Sequence, residues 1–380
     1  MNKVVLAFDS FKGSVSAEEI TENLTRNIRQ MWPACEVCAF LIADGGEGTL
    51  KAVEQCLPVN RFTCQVHGPL GNLHRASYIA TEEGVVIIEM AEASGLPLVP
   101  LSLRNPLETS SVGTGELIAD ALSRGFRKFV LGLGGSATND AGMGVLSALG
   151  VRFLDKKGLE LQPVGRNLHR VARLDTSSLR EDLQDSSFVL ACDVTNPLYG
   201  PQGAAYVYAP QKGASAEQVA FLDQGLRSYA HVLGLETGVD MAFLPGAGAA
   251  GGVAGGLMPF LNGELKSGIE IILDLLHFDD ALLGADIVLT GEGEIDGQTA
   301  MGKALNGVLK RAKNARVPVV GLGGSVKEVE QLNRLGFTSL ISIQPGPVSL
   351  EEAMQPVSAL HNLSRTVVQL LRLLDAVKNE

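Results

Sequence analysis

The chain has 380 residues, with 31 Lys+Arg against 42 Asp+Glu for a net charge of −11, and is 46% hydrophobic and 19% charged. That balance excludes a disordered chain, and an acidic chain with 5% aromatic residues is a poor candidate for a phosphate-backbone binder or a single-strand stacking platform. The length suggests two domains. Glycine, at 44 residues, exceeds a usual share of about 7%, has no collagen period, and clusters between apolar runs, where tight turns and ligand-facing loops sit.

Taken in chain order, Lys3 to Phe8 is a continuous apolar run ending at Asp9. It reads as a buried parallel strand and is too short for a signal peptide. Ser16 with Glu19 three residues on marks a helix start, and Trp32-Pro33 stops that helix near Met31. A strand from Val37 to Ile42 follows. The segments 63–66, 75–80 and 85–90 alternate or run apolar between turn residues, which predicts an antiparallel meander. Lys128 to Leu133 and Phe188 to Cys192 are again buried strands, and Pro245 to Gly256 is a glycine-alanine tract. Asp286 to Thr290, Val317 to Leu322 and Ser339 to Ile343 read as strands. They alternate with helices over 300–312, 327–335 and 360–377. Alternation at both chain ends implies a doubly wound parallel sheet. Because the ends resemble each other more than the middle, two interleaved α/β domains are expected: 1–62 with 285–380, and 63–284. No run of 18 apolar residues is present, so no membrane span is expected. Five cysteines (Cys35, Cys38, Cys56, Cys64, Cys192) is an odd number in a large chain and fits reduced thiols in the cytoplasm. Cys35-x-x-Cys38 has neither a second pair nor a nearby histidine, so no zinc site is expected.

Chemistry is suggested by where the acids fall. Four apolar strands run directly into carboxylates: Asp9-Ser10, Asp44 with Glu47, Asp193, and Glu292 with Asp296. Ligands of open α/β sheets bind outside the carboxyl ends of the strands, and a group of acids there suits magnesium; the plainer alternative is that each acid caps the next helix. A strand-to-glycine turn occurs twice, as Gly134-Gly135-Ser136 and as Gly323-Gly324-Ser325. Its exposed backbone N–H groups would cradle phosphate, and the first copy is followed by Thr138, Asn139 and Asp140. Gly297 to Lys303 fits GxxxxGK but has Ala304 where a P-loop needs Ser or Thr, so Lys303 is left as a phosphate contact by charge alone. Gly246 to Gly251 fits GxGxxG without a clean preceding strand, which favours close packing over dinucleotide binding. Lys12, just after the first strand, would offset charge on a transferring phosphoryl group. Asp193, ending an apolar strand beside Cys192, is the candidate general base.

These motifs together resemble the bacterial type-I glycerate kinases. The resemblance runs through DSFKGSVSA (9–17), ADGGEGT (43–49), GTGELI (113–118), GGSATNDAGMG (134–144), CDVTNPLYGPQGAA (192–205), PQKGA (210–214), PGAGAAGG (245–252), SGIEIILD (267–274) and GEGEIDGQTAMGKA (291–304). Val15 and Met301 depart from residues common in the family without touching the polar positions. The resemblance implies ATP-dependent phosphorylation of D-glycerate, the 2-hydroxyl favoured. It also implies a flavodoxin-like domain paired with a second α/β domain of restriction-endonuclease-like topology, the active site lying in the cleft. The expected ligands are ATP, magnesium and D-glycerate, with no nucleic acid or membrane partner, in a monomer or homodimer. The alternatives are a kinase for a related small hydroxy acid and an NAD-dependent dehydrogenase using the GAGAAG loop.

Overall fold

A computed structural model describes residues 1–42, 53–54, 57–297 and 303–378. In chain order the strands are β1 (Lys3–Phe8), β2 (Glu36–Leu41), β3 (Val59–His67), β4 (Leu73–Thr81), β5 (Val85–Glu89), β6 (Lys128–Gly132), β7 (Arg152–Leu154), β8 (Arg173–Asp175), β9 (Ser187–Ala191), β10 (Gly263–Lys266), β11 (Ile287–Ile295), β12 (Val319–Val326) and β13 (Ser339–Ser342). The chain divides into two compact units, Met1–Leu57 with Ile269–Glu380, and Pro58–Gly268. Among the described residues no helix is long and apolar enough to cross a membrane.

The first unit carries a five-stranded sheet in the order β13-β12-β11-β1-β2, all pairs parallel. With the second unit set aside, this is the 2-1-3-4-5 order of flavodoxin-like sheets, whose switch point falls between β1 and β11. The continuous apolar sequence of β1 follows from burial on both faces. Val4, Leu6 and Phe8 enter one core with Ile20, Leu24 and Ile28 of the helix Ala17–Met31 and with Leu363, Val367 and Leu371 of the helix Pro356–Lys378. Val5 and Ala7 enter a second core with Leu305, Val308 and Leu309 of the helix Lys303–Asn314. The first helix begins as its sequence predicts. The Ser16 hydroxyl accepts the Glu19 N–H, and Glu19 reaches back to the Ser16 N–H.

Two expectations for this unit are corrected. The strand expected over 286–290 continues to Ile295, so Gly291 to Glu294 are ladder residues instead of a turn. Likewise Gly323-Gly324-Ser325 lies inside β12, paired with β11 through Glu292↔Gly323 and Glu294↔Ser325, and forms no anion nest. Glycine is what lets these strands run on together, since a Cβ on Gly291 would come within 2.1 Å of the Leu322 carbonyl oxygen. Cys35 is buried and Cys38 half-buried, both free thiols.

The second unit carries a six-stranded mixed sheet, β10-β9-β6-β5-β4-β3. The predicted meander is present as the antiparallel run β3-β4-β5, and β5, β6, β9 and β10 are parallel. A separate antiparallel pair, β7–β8, was not evident from the sequence. Tyr78, Phe129, Phe188 and Tyr229 anchor its single large core, with Phe129 and Phe188 stacked at 4.7 Å between centroids.

Candidate active site

The acid-bearing strand ends do not all belong to one sheet. Those of β1, β2 and β11 lie on the first unit's sheet, whereas Asp193 follows β9 of the second. Asp44 and Glu47, expected after β2, lie outside the described residues. At the switch point, Phe8 is paired in register with Gly291 and the Asp9 N–H donates to the Gly291 carbonyl at 3.0 Å. Asp9, just past β1, and Glu292, still within β11, therefore sit side by side, both half-buried. Asp9 Oδ1 accepts the Ser10 N–H at 2.6 Å and the Ser10 hydroxyl at 3.2 Å. The loop after it is pinned by buried Phe11 and Val15, whose backbones bond across at 2.8 Å, and Lys12 is exposed on that loop. The Lys12 amide nitrogen passes 3.6 Å from where a Cβ on Gly293 would stand, so this loop covers the end of β11.

Asp296 follows β11, half-buried. Beside it is an acid that sequence reasoning missed. Glu328 adopts a left-handed backbone (φ 52°) and brings its carboxylate against Gly297. Lys327 pairs with Glu294, and its ammonium is held above the usual range by that contact. Lys303 opens the helix Lys303–Asn314, and its side chain is not among those described. Among the described residues no three His, Cys, Asp or Glu side chains form a ready-made metal cluster.

In the second unit β6 runs into the turn Gly134-Gly135-Ser136. The turn is clamped to the segment after β5 by Leu96 N–H to Gly135 O at 2.8 Å and Ala137 N–H to Ser94 O at 2.9 Å. Gly134 and Gly135 stay half-exposed, while Ser136 is buried and Thr138, Asn139 and Asp140 are completely enclosed. Asp140, a candidate for substrate or metal, is bonded within the loop. Its carboxylate accepts the Ser111 N–H and hydroxyl, each at 2.8 Å, the Gly142 N–H at 3.2 Å and the Gly144 N–H at 3.3 Å. Burial pushes its carboxyl up and these donors oppose the push. It fastens the loop, with three of these donors on Oδ2 and one on Oδ1.

Next to this loop the structure places a lysine that the sequence reading did not single out. Lys212, on a short 3-10 turn, is 3% exposed, and its Nζ donates to Ser136 Oγ at 2.8 Å and to the Thr138 carbonyl at 2.7 Å. Burial lowers it to about 7, with the nearby Asp140 charge pulling the other way. Thr138 Oγ1, both amide atoms of Asn139 and the Tyr229 hydroxyl are buried without a hydrogen-bond partner. Buried polar atoms are ordinarily paired, so these orphans mark a place that a polar ligand would satisfy.

The GAGAAG tract leads into the helix Ala249–Leu257 through left-handed residues 250–252. It serves close packing: a Cβ on Gly251 would meet Thr138 O at 2.1 Å and one on Gly256 would meet Ala141 O at 1.7 Å. Asp193 is half-buried, and its Oδ1 accepts the Gly268 N–H at 3.1 Å. Its neighbour Cys192 directs its thiol to Val194 O at 3.3 Å.

Comparison with known proteins gives the family and the fold. A family model described as the glycerate kinase family matches residues 4–375. A glycerate kinase of Bacillus cereus (strain ATCC 10987 / NRS 248) is 44% identical over 353 residues, covering 92% of this chain and 93% of that protein. The glycerate 2-kinase of Escherichia coli (strain K12) is 41% identical over 365 residues, covering 96% and 95%. A crystal structure assigned to glycerate kinase 2 from Salmonella typhimurium LT2 superposes with a TM-score of 0.86 at 40% identity and covers 100% of both chains. A dehydrogenase built on the GAGAAG loop is thereby set aside.

Proposed function

The chain belongs to the glycerate kinase family and is a kinase, and from that premise we propose that it transfers the γ-phosphoryl group of ATP to D-glycerate in the cytoplasm, giving ADP and phosphoglycerate. The 2-hydroxyl is the favoured acceptor, since the relative from Escherichia coli carries the name glycerate 2-kinase. The observation that carries the proposal is the turn at Gly134–Asn139. It has half-exposed glycines at a strand's carboxyl end, a buried lysine bonded to it, and enclosed polar atoms that lack partners. Backbone N–H groups of such a turn, with the Ser136 and Thr138 hydroxyls and the Asn139 amide, suit phosphate oxygens.

The acids at the first unit's switch point fit magnesium, which takes hard oxygen ligands and is commonly bound by one or two carboxylates plus substrate phosphates. Asp9 and Glu292 would hold it, with Asp296, Asp44 and Glu47 as further carboxylates. When bound, the ion would offset charge on the phosphates. Ser10, bonded to Asp9, keeps that carboxylate oriented. Lys12 and Lys303 would stabilise negative charge developing on the transferred group. Asp193 would accept the proton from the attacking hydroxyl as the new O–P bond forms and ADP departs.

Asp193→Asn tests the base. The variant is expected to bind ATP normally while ADP release with D-glycerate falls by about a hundredfold or more. Turnover close to wild type in a folded, ATP-binding variant removes Asp193 from that role.

A further inference from the structure

We propose that Lys212 is a positioning residue for phosphoryl transfer: its side-chain nitrogen fixes the Gly134–Asn139 turn through Ser136 Oγ and the Thr138 carbonyl, and supplies the counter-charge for an anion seated on that turn. The inference rests on reading the turn as the nucleotide's phosphate cradle.

Lys212 is nearly inaccessible, yet among the described residues no carboxylate lies within ion-pair distance of it. The charge that acts on its amine is that of Asp140. Asp140 is committed to Ser111, Gly142 and Gly144. The Tyr229 phenol is pushed up by burial and stays neutral. Arg104 packs its Cβ and carbonyl against Gly213, and its Nε donates to the Val99 carbonyl at 3.5 Å. Both hydrogen-bond partners of Lys212 are neutral oxygens, and a neutral amine can still donate to both. A purely structural prop at this point therefore needs no charge, and burial favours the neutral form. An arriving polyphosphate reverses that preference, because a nearby opposite charge stabilises the ammonium. Linkage then requires the anion to bring a proton with it.

The test is titration calorimetry of the full-length protein with premixed magnesium-ATP in buffers of different ionisation enthalpy. With the free amine near 7, uptake on binding should be about 0.9 proton per nucleotide at pH 8 and about 0.1 at pH 6. Lys212→Met should abolish the uptake and weaken ATP binding about tenfold, leaving D-glycerate binding within twofold. Lys212→Arg, charged at every pH used, should recover ATP affinity without uptake. The wild-type measurement stands even if a variant does not fold. No uptake at pH 8, or uptake that persists in Lys212→Met, overturns the proposal. Ser136→Ala and Gly135→Val separate it from its premise. If both weaken ATP binding while wild type shows no uptake, only the role of Lys212 fails. If neither changes ATP affinity, the cradle itself is wrong and this proposal falls with it.

Discussion

Asp140 and Lys212 show how burial sorts two charged side chains at one loop. Asp140 gathers donors from Ser111, Gly142 and Gly144. Removing it strands several of them at once, and one unsatisfied buried donor alone costs about 1–3 kcal/mol. Asp140→Ala should therefore lose about 3 kcal/mol or more in urea unfolding, and a loss below 1 kcal/mol would show that the loop is held by other contacts. Lys212 works in the opposite sense. Its amine is depressed to about 7 in the folded protein, against about 10.4 unfolded. Between those values the unfolded chain binds more protons, so stability from this group rises with pH, and the full penalty is felt below pH 7. The Tm of wild type relative to Lys212→Met should thus increase from pH 7 to pH 10, and a pH-independent gap would contradict the assignment. Neither role could be read from sequence. Asp140 looks like any acid after a glycine turn, and nothing in Pro210-Gln211-Lys212-Gly213 says that its lysine is enclosed.

Among elements, those with a local signal were legible. The Ser16–Glu19 box fixes the start of the first helix, and the continuous apolar run of β1 matches a strand buried on both faces. Elements whose limits depend on partners were not. The glycines of 291–293 and 323–324 have the composition of turns, yet they extend β11 and β12 because two glycine-rich strands can approach where side chains would collide. The GAGAAG tract has the spacing of a dinucleotide fingerprint and instead packs its backbone onto residues 138–141. Gly256→Ala is expected to destabilise by about 1–3 kcal/mol or more, because the new Cβ would fall 1.7 Å from the Ala141 carbonyl oxygen and the loop must shift. Since that loop continues into Asn139 and Thr138, ATP affinity should fall as well. A variant with wild-type stability and affinity would show that the tract and the loop are uncoupled.

At the scale of the whole molecule, the alternation of strands and helices at both chain ends pointed to a parallel sheet completed across a long insertion. The sheet order β13-β12-β11-β1-β2 realises it. That order puts the switch point at Asp9 and Glu292, residues 283 positions apart whose adjacency only the register reveals. The acids first grouped by their shared position at strand ends are in fact divided between two sheets, because sequence shows where a strand ends but not which sheet it joins. The most direct measurement is phosphorus NMR of the product formed from D-glycerate and magnesium-ATP, with ADP release followed in parallel. We expect one 2-phosphoglycerate per ADP and no ADP without D-glycerate. Formation of 3-phosphoglycerate would contradict the proposed acceptor, and absence of any phosphoglycerate would contradict the proposed reaction.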